Sequence, residues 1–367
     1  MFVDRIPLLL YNNNTASAHT QKFISKRVYD MKRTSGKKNI VAYPARIVAA
    51  VVVLIVACVA TACTAEVDFD KKTEYYNDGT YLLMGRYPRS EADAAVSEAL
   101  EAGFQNGTLT KNGDWYDYGE ERYARVLVKN DYVGADSDNE KFWLYTQYEI
   151  GSVHWFLVEE IKWRLVAVQN KYAMLMTDEL IATKCFSDEA TEKGWLWENS
   201  DLRAWLNGEF FCEAFDEAEQ KIVRTGETYC DYISNPGRIR YGRDTVKDKV
   251  RVPRWREIRE PQLFKTDDDR TAQVTDYATA CGGARLSQGA IDYYVNNGLE
   301  TVKTPEECQR YIGCGIYWLA DTEYNMNHTY IVYEFGNTLS YNYTERNRTV
   351  RPVILCEYED IKNELKK

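Results

Sequence analysis

The sequence predicts an α+β fold: an antiparallel sheet closed by its N- and C-terminal strands, with two or more helices packed on it. Three observations carry this expectation. Strand-like runs gather at both ends of residues 75–358, helix-like patterns gather between them, and strands never alternate with helices as a parallel βαβ sheet requires. At 367 residues, 45% hydrophobic and 28% charged, the chain can bury one or two cores and is not a disordered polymer.

The elements follow in order. DGTYLLMGRYPRS (78–90) is a turn and an apolar run stopped by proline, a short strand. EADAAVSEALEAG then predicts a helix of about three turns, capped by Ser90 and ended by Gly103. NGDWYDYGEERYARVLVK (112–129) reads as a turn and hairpin, so residues 75–150 form a β-rich N-terminal segment. An α+β core covers 151–358. It opens with WFLVEEIKWRLVAVQNKYAMLMTDELIA, whose apolar runs, broken at Glu159-Glu160 and Gln169-Asn170, predict two or three antiparallel strands.

In WENSDLRAWLNGEFF (197–211), Ser200 or Asn199 can cap a helix whose Leu202, Trp205, Leu206 and Phe210 recur at i, i+3, i+4 and i+8, with Gly208 loosening its end. Arg203 and Asn207 lie off that stripe, four apart, placed to tie the helix to a neighbouring loop. Asp216 and Glu219 stand three apart like a capping box before a second helix. TDYATACGG and GAIDYYVNNG read as short helical turns, and GIYWLAD, TYIVYEFG, TLSYNY and RTVRPVILCEYE as closing strands. A polar tail, 359–367, ends the chain.

Residues 1–62 read as a signal region. IVAAVVVLIVACVATA (47–62) is uncharged, follows Lys32, Arg33, Lys37, Lys38 and Arg46, and ends on small residues before Cys63. At about 16 residues it is short for a spanning helix, which needs roughly 20. It looks like a bacterial lipoprotein signal with Cys63 as the lipidated residue, although Ala60 stands where a strict lipobox has Leu; an ordinary secretory signal cleaved near Ala62 and an uncleaved anchor are the alternatives. MKRTSGKKN at Met31 looks like a true start. Residues 63–74 form a polar tether, so the expected body is exported and held to the membrane by lipid on the extracytoplasmic side.

Composition excludes several functions. Nine Lys or Arg and two acids fall before residue 63, which leaves 37 basic and 54 acidic residues in the body. Such an acidic body argues against nucleic acid as a partner. RIRYGRDTVKDKVRVPRWR (238–256) is locally basic and reads as a solvated face. Seven body cysteines make an odd count with no C-x-x-C pair, and His154 and His328 each stand alone, so no metal and no cofactor are expected. DSDNE (136–140) fails as a calcium loop because Lys141 stands where Gly is needed. No phosphate loop, dinucleotide fingerprint or nucleophile elbow appears.

EIKWRLVAV (160–168), NSDLRAWLNGEFFCEAF (199–215), DKVRVPRWREI (248–258), TDYATACGG, GIYWLAD and TVRPVIL (349–355) occur in that order. Together they resemble a bacterial domain of unknown function common in exported lipoproteins, whose members carry S-x-L-R-x-W-L-N, T-D-Y-A, W-W-L-R-S and a terminal V-R-P. Ser200, Leu202, Arg203, Trp205, Leu206, Asn207, Trp318, Arg351 and Pro352 are the structural motif positions here. Ala320 and Asp321 depart from the pattern, replacing its Arg and Ser. The ending is similar in arrangement to C-type-lectin-like domains and the formylglycine-generating enzyme fold, which implies a lectin-like core. Cys308 and Cys314 do not match the copper-binding pair of that enzyme.

Catalysis is not expected, because no nucleophile with a base is evident and carboxylate pairs such as Glu159 with Asp321 cannot be chosen without geometry. A binding surface is. Tyr317, Tyr324, Asn325, Asn327, Tyr330, Asn337, Tyr341, Asn342 and Tyr343 crowd one stretch, and Tyr with Asn is the mixture binding loops favour for glycan or protein ligands. The competing reading is that these tyrosines only cover both faces of an antiparallel sheet. The expected function is a lipid-anchored binding or interaction module; an exported enzyme of the same fold and a structural surface lipoprotein are the alternatives.

Overall fold

The computed structural model describes residues 72–129, 146–188, 193, 195–233, 240–296, 304–323 and 328–367, with the backbone alone at Tyr341, Asn342 and Tyr343 among others. These described residues belong to one compact unit. The signal region, Cys63, most of the tether and the DSDNE stretch lie outside the described residues. Among the described residues, no helix is long and apolar enough to cross a membrane.

The N-terminal half is built around one strand. β1 (Glu74–Tyr75) and β2 (Tyr81–Glu91) lead into helix α1 (Ala94–Gln105) and the short strands β3 (Thr110–Asn112), β4 (Trp115–Tyr118) and β5 (Glu121–Leu127). β6 (Val153–Gln169) is rich in β-branched and aromatic residues over 17 positions, about 55 Å of extended chain, so one strand can pair with four others. β2 and β1 share one of its edges; β5 and β7 (Tyr172–Thr177) share the other. Glu159 and Glu160 do not break this strand as expected, because neither is buried: Glu160 is exposed, and Glu159, on the opposite face, is half-buried, accepts the Ser90 N–H and lies near Arg89.

β8 (Ala182–Cys185) precedes α2, in which Asp201–Trp205, a π turn Leu206–Phe210 and Phe211–Ala214 run on as one helix. Then come α3 (Glu219–Ile222), β9 (Val223–Arg224), β10 (Gly226–Ile233), β11 (Arg240–Asp248), β12 (Val250–Arg251), α4 (Trp255–Ile258), α5 (Asp276–Ala280), α6 (Gln288–Asn296) and α7 (Pro305–Cys308). The chain closes with β13 (Tyr317–Glu323), β14 (His328–Val332), β15 (Thr338–Tyr343), β16 (Asn347–Val350), β17 (Val353–Glu357) and α8 (Tyr358–Ile361).

The mixed, mostly antiparallel content is the α+β class expected, but the strands divide into two sheets rather than one. A ten-stranded sheet runs β12-β17-β7-β6-β5-β4-β3, with β1, β2 and β9 attached, and a seven-stranded sheet contains β11-β10-β13-β14-β15 with β16 and β8. First and last segments do meet, since Tyr81 bridges Lys366. The largest core unites residues of both sheets, including Leu82, Trp163 and Ile354 from one and Trp318, Ile331 and Val350 from the other, against Trp205, Phe210 and Phe215 of the α2 region.

Two helix ends differ from expectation. Asp93, not Ser90, caps α1 by accepting the Val96 N–H, because Ser90 is still in β2; Gly103 lies inside the helix, where Leu109 packs on it. α2 does not end at Gly208 but continues through the π turn to Ala214. At that far end β2 passes so close that a Cβ on Gly85 (φ +71°) would meet the Ala214 carbonyl oxygen at 2.8 Å, so this position requires glycine. The Asp216/Glu219 capping box is present, each backbone N–H bound to the other's side chain.

Candidate functional site

The β3–β4 turn and α2 face each other across a cleft. The turn places Asp114 at its rim and β4 begins with the buried Trp115, while Glu209 in the π turn and Glu213 four residues on project from one side of α2. Tyr87 of β2, Arg125 of β5, Thr183 and Lys184 of β8, Tyr277 of α5 and Cys281 complete the lining of a cavity of about 290 Å³. A second lobe of about 390 Å³ lies beyond a wall shared at Asp114, Trp115 and Glu213, and carries Arg86, Arg122, Cys212, Asp216 and Glu219. The aromatic floor is rigid: Tyr87 meets Trp115, Phe210 and Tyr277 edge-on at centroid distances of 6.1, 5.2 and 5.6 Å.

Asp114, Glu209 and Glu213 each bring a carboxylate oxygen to within 4.8 Å of the others. Three such charges cannot all ionise freely at that spacing. Burial, the charges of Asp114 and Glu209, and a hydrogen bond with Asp114 push the Glu213 carboxyl up to about 7, against the opposing pull of Lys184. Near neutral pH the Glu213 carboxyl is therefore partly protonated and can donate a hydrogen bond as well as accept one. The trio's hard oxygen donors are also of the type that calcium or magnesium takes, although three carboxylates fill only part of such a coordination shell. Burial pushes the Cys281 thiol up to about 11, so it faces the cleft as a neutral group hydrogen-bonded to Tyr277.

The nine motif positions serve as ties and wall. Ser200 caps α2 through the Arg203 N–H at 3.1 Å, and Leu202, Trp205, Leu206 and Phe210 are all buried as one stripe. Arg203 binds Asp248 at 2.6 Å, and Asn207 accepts the Lys249 N–H at 2.7 Å while donating to the Val250 carbonyl at 2.8 Å, so the expected tie reaches the β11–β12 segment. Trp318 donates to the Lys184 carbonyl at 2.9 Å. Arg351, fully buried, donates to the carbonyls of Thr177 and Arg270, and the Pro352 carbonyl accepts the Thr177 N–H.

Asp321, where the resembled pattern has Ser, is buried and accepts the N–H groups of Asp231 and Trp255, fastening β10 and the start of α4 to β13. Burial pushes its carboxyl up to about 7 despite those two bonds.

The Tyr/Asn stretch divides differently from expectation. Tyr317 and Tyr330 are core residues at 0% and 1% exposure, so neither can contribute to an open ligand surface. Tyr317 donates to the Arg270 carbonyl, and the Tyr330 ring lies 4.4 Å from that of Trp255. In a strand whose two faces are both covered, alternate residues are buried on either side. Asn337 is half-buried at the β14–β15 turn, its carbonyl accepting the Tyr333 N–H. Tyr324, Asn325 and Asn327 lie outside the described residues; Tyr341, Asn342 and Tyr343 are placed by backbone alone in β15.

The cleft was missed in the sequence because Asp114 lies almost a hundred residues from its partners. One local signal was present: Glu209 and Glu213, like charges four apart on a helix, repel each other and are disfavoured unless something requires them.

The described residues thus define an α+β domain of two sheets with buried aromatic ties and an acidic cleft. The family profile described as a domain of unknown function (DUF6273) matches residues 170–357, and the chain belongs to that family. No curated protein and no solved structure matches the chain.

Proposed function

We propose that this protein is an exported, lipid-anchored binding module, held to the membrane at Cys63, that recognises a polyhydroxylated ligand of the glycan class in the two-lobed acidic cleft. One observation carries this reading: three carboxylates, with that of Glu213 raised to about 7, converge above a packed floor of Tyr87, Trp115 and Tyr277. Carboxylates accept hydrogen bonds from vicinal hydroxyls, and aromatic groups suit the C–H faces of sugar rings. The lectin-like reading of the fold agrees with such a role but rests on motif resemblance alone. The lipid anchor rests on the apolar run 47–62 and the small residues before Cys63.

Glycan-array binding followed by titration calorimetry tests the site. Asp114→Asn with Glu209→Gln is expected to weaken a detected ligand at least tenfold, whereas Tyr341→Ala with Tyr343→Ala leaves it unchanged. The opposite pattern would return the site to the C-terminal tyrosines. Capture of a protein partner with no glycan signal would replace the ligand class.

A further inference from the structure

Outside the cleft, the start of β6 holds an arrangement with a chemistry of its own. Ser152 and His154 are two apart at a strand entry and so lie on one face. Glu91, at the end of β2, is in register with Phe156 and therefore diagonal to His154 on that face. The side chains meet in line: Ser152 Oγ is 2.8 Å from His154 Nε2, and His154 Nδ1 is 2.5 Å from Glu91 Oε1. A carboxylate only accepts, so Nδ1 carries the proton and Nε2 of the neutral ring is an acceptor, which competes with the Glu149 carbonyl for the single hydroxyl hydrogen of Ser152.

The surroundings hold this order. Tyr148 donates to Glu91 Oε2 at 3.0 Å and sets its ring edge-on to His154 at 4.8 Å. Asp276, paired with Arg285, accepts the Glu91 N–H. Ser152 is fixed by its N–H to the Glu149 carbonyl and its own carbonyl to the Val128 N–H.

We propose that Ser152, His154 and Glu91 form a nucleophilic triad that acts on activated acyl esters, a role separate from glycan binding and not dependent on it. A triad is recognised by geometry and roles rather than by position in the chain. In the reaction Ser152 Oγ bonds to the carbonyl carbon as its proton passes to Nε2. The C–O bond to the leaving group then breaks, and that alkoxide takes the proton from Nε2. Water, giving a proton to His154, cleaves the acyl-serine and restores the hydroxyl, so that ester and water become acid and alcohol. Glu91 keeps Nδ1–H in place throughout as a positioning residue.

Two features set the expected rate low. The Ser152 hydroxyl donates to the Glu149 carbonyl at 2.5 Å and must turn from it to give its hydrogen to Nε2, and the Gly151 and Ser152 N–H groups are already bound to carbonyls rather than free to form an oxyanion hole. The suited substrates are therefore esters with good leaving groups, and the suited probe is a fluorophosphonate.

Fluorophosphonate labelling of the purified full-length protein, read by peptide mass, is expected to mark Ser152. Ser152→Ala should abolish labelling, and His154→Gln should slow it about 100-fold. Glu91→Gln should slow it too, with partial recovery in Glu91→Asp. Thermal melts of all four variants identify any that fail to fold, and Ser152→Ala, which removes one oxygen at a half-buried site, should melt within a few degrees of the parent. Labelling absent from the folded parent, or unchanged in folded Ser152→Ala, would overturn the proposal.

Discussion

Asp248 shows how one buried carboxylate organises its neighbours. Its oxygens accept the Trp197 indole N–H at 2.9 Å and the Arg203 guanidinium at 2.6 Å, which joins the segment before α2, α2 itself and the end of β11. Asp248→Ala leaves both donors without their acceptor and is expected to cost about 2–3 kcal/mol in urea unfolding. Trp205→Ala should cost roughly 3–5 kcal/mol, since it empties a site between the Phe210 ring and the Lys184 ammonium. Trp205 was legible as structural in the sequence from its apolar stripe and Arg203 from its place off it, whereas the carboxylate that Arg203 binds, Asp248, was not. His154 stood alone in the sequence; the contact with Ser152 and the acid some sixty residues away came only from the fold.

At the scale of elements, α2 combines a sound stripe with a weak point. Gly208 is exposed, has ordinary helical backbone, and has nothing within 4 Å of a Cβ placed on it. Gly208→Ala is therefore expected to stabilise the protein by about 0.5–1 kcal/mol, measured as a raised midpoint of denaturation. The opposite sign would mean that the π turn depends on glycine. The turn matters to the cleft because it sets the facing of Glu209 and Glu213, and no periodicity argument foresees a π turn. Strand identities were easier to read than their grouping: β13 to β17 were all visible as runs, yet only pairing showed that β16 joins β8 and β13 while β17 joins β7, β9 and β12.

At the scale of the whole molecule, the family match begins at residue 170, whereas the sheet does not. β7 pairs with β6, and the core includes Leu82, Trp163 and Leu165 from before the match. A fragment of residues 170–357 should lack cooperative unfolding and near-ultraviolet dichroism, because it exposes the β7 edge and the face that β6 covers. Two sets of carboxyls also give stability an optimum below neutrality. Glu257 is buried, which by itself raises its carboxyl, but Arg251 and Arg254 hold it down to about 2. Its stabilisation is full above the ordinary value of 4.5 and is lost as pH falls towards 2. Asp321 and Glu213 are raised to about 7, so the folded state keeps their protons and loses stability as pH rises from the ordinary carboxyl range through 7. Thermal melts should peak at about pH 5, and Asp321→Asn should flatten the arm above it.

The sequence alone determined the α+β class, many of the strand and helix runs, the α2 stripe with a cap at Ser200 or Asn199, and the family motifs in order. These depend on neighbours a few residues apart, where pleat and helix periods write themselves into the chain. Tertiary structure alone decided the division into two sheets, the burial of Tyr317 and Tyr330, and the meeting of Asp114 with Glu209 and Glu213. Each of these depends on which distant segments share a face, and hydrogen-bond pairing between strands leaves no local trace of its partner.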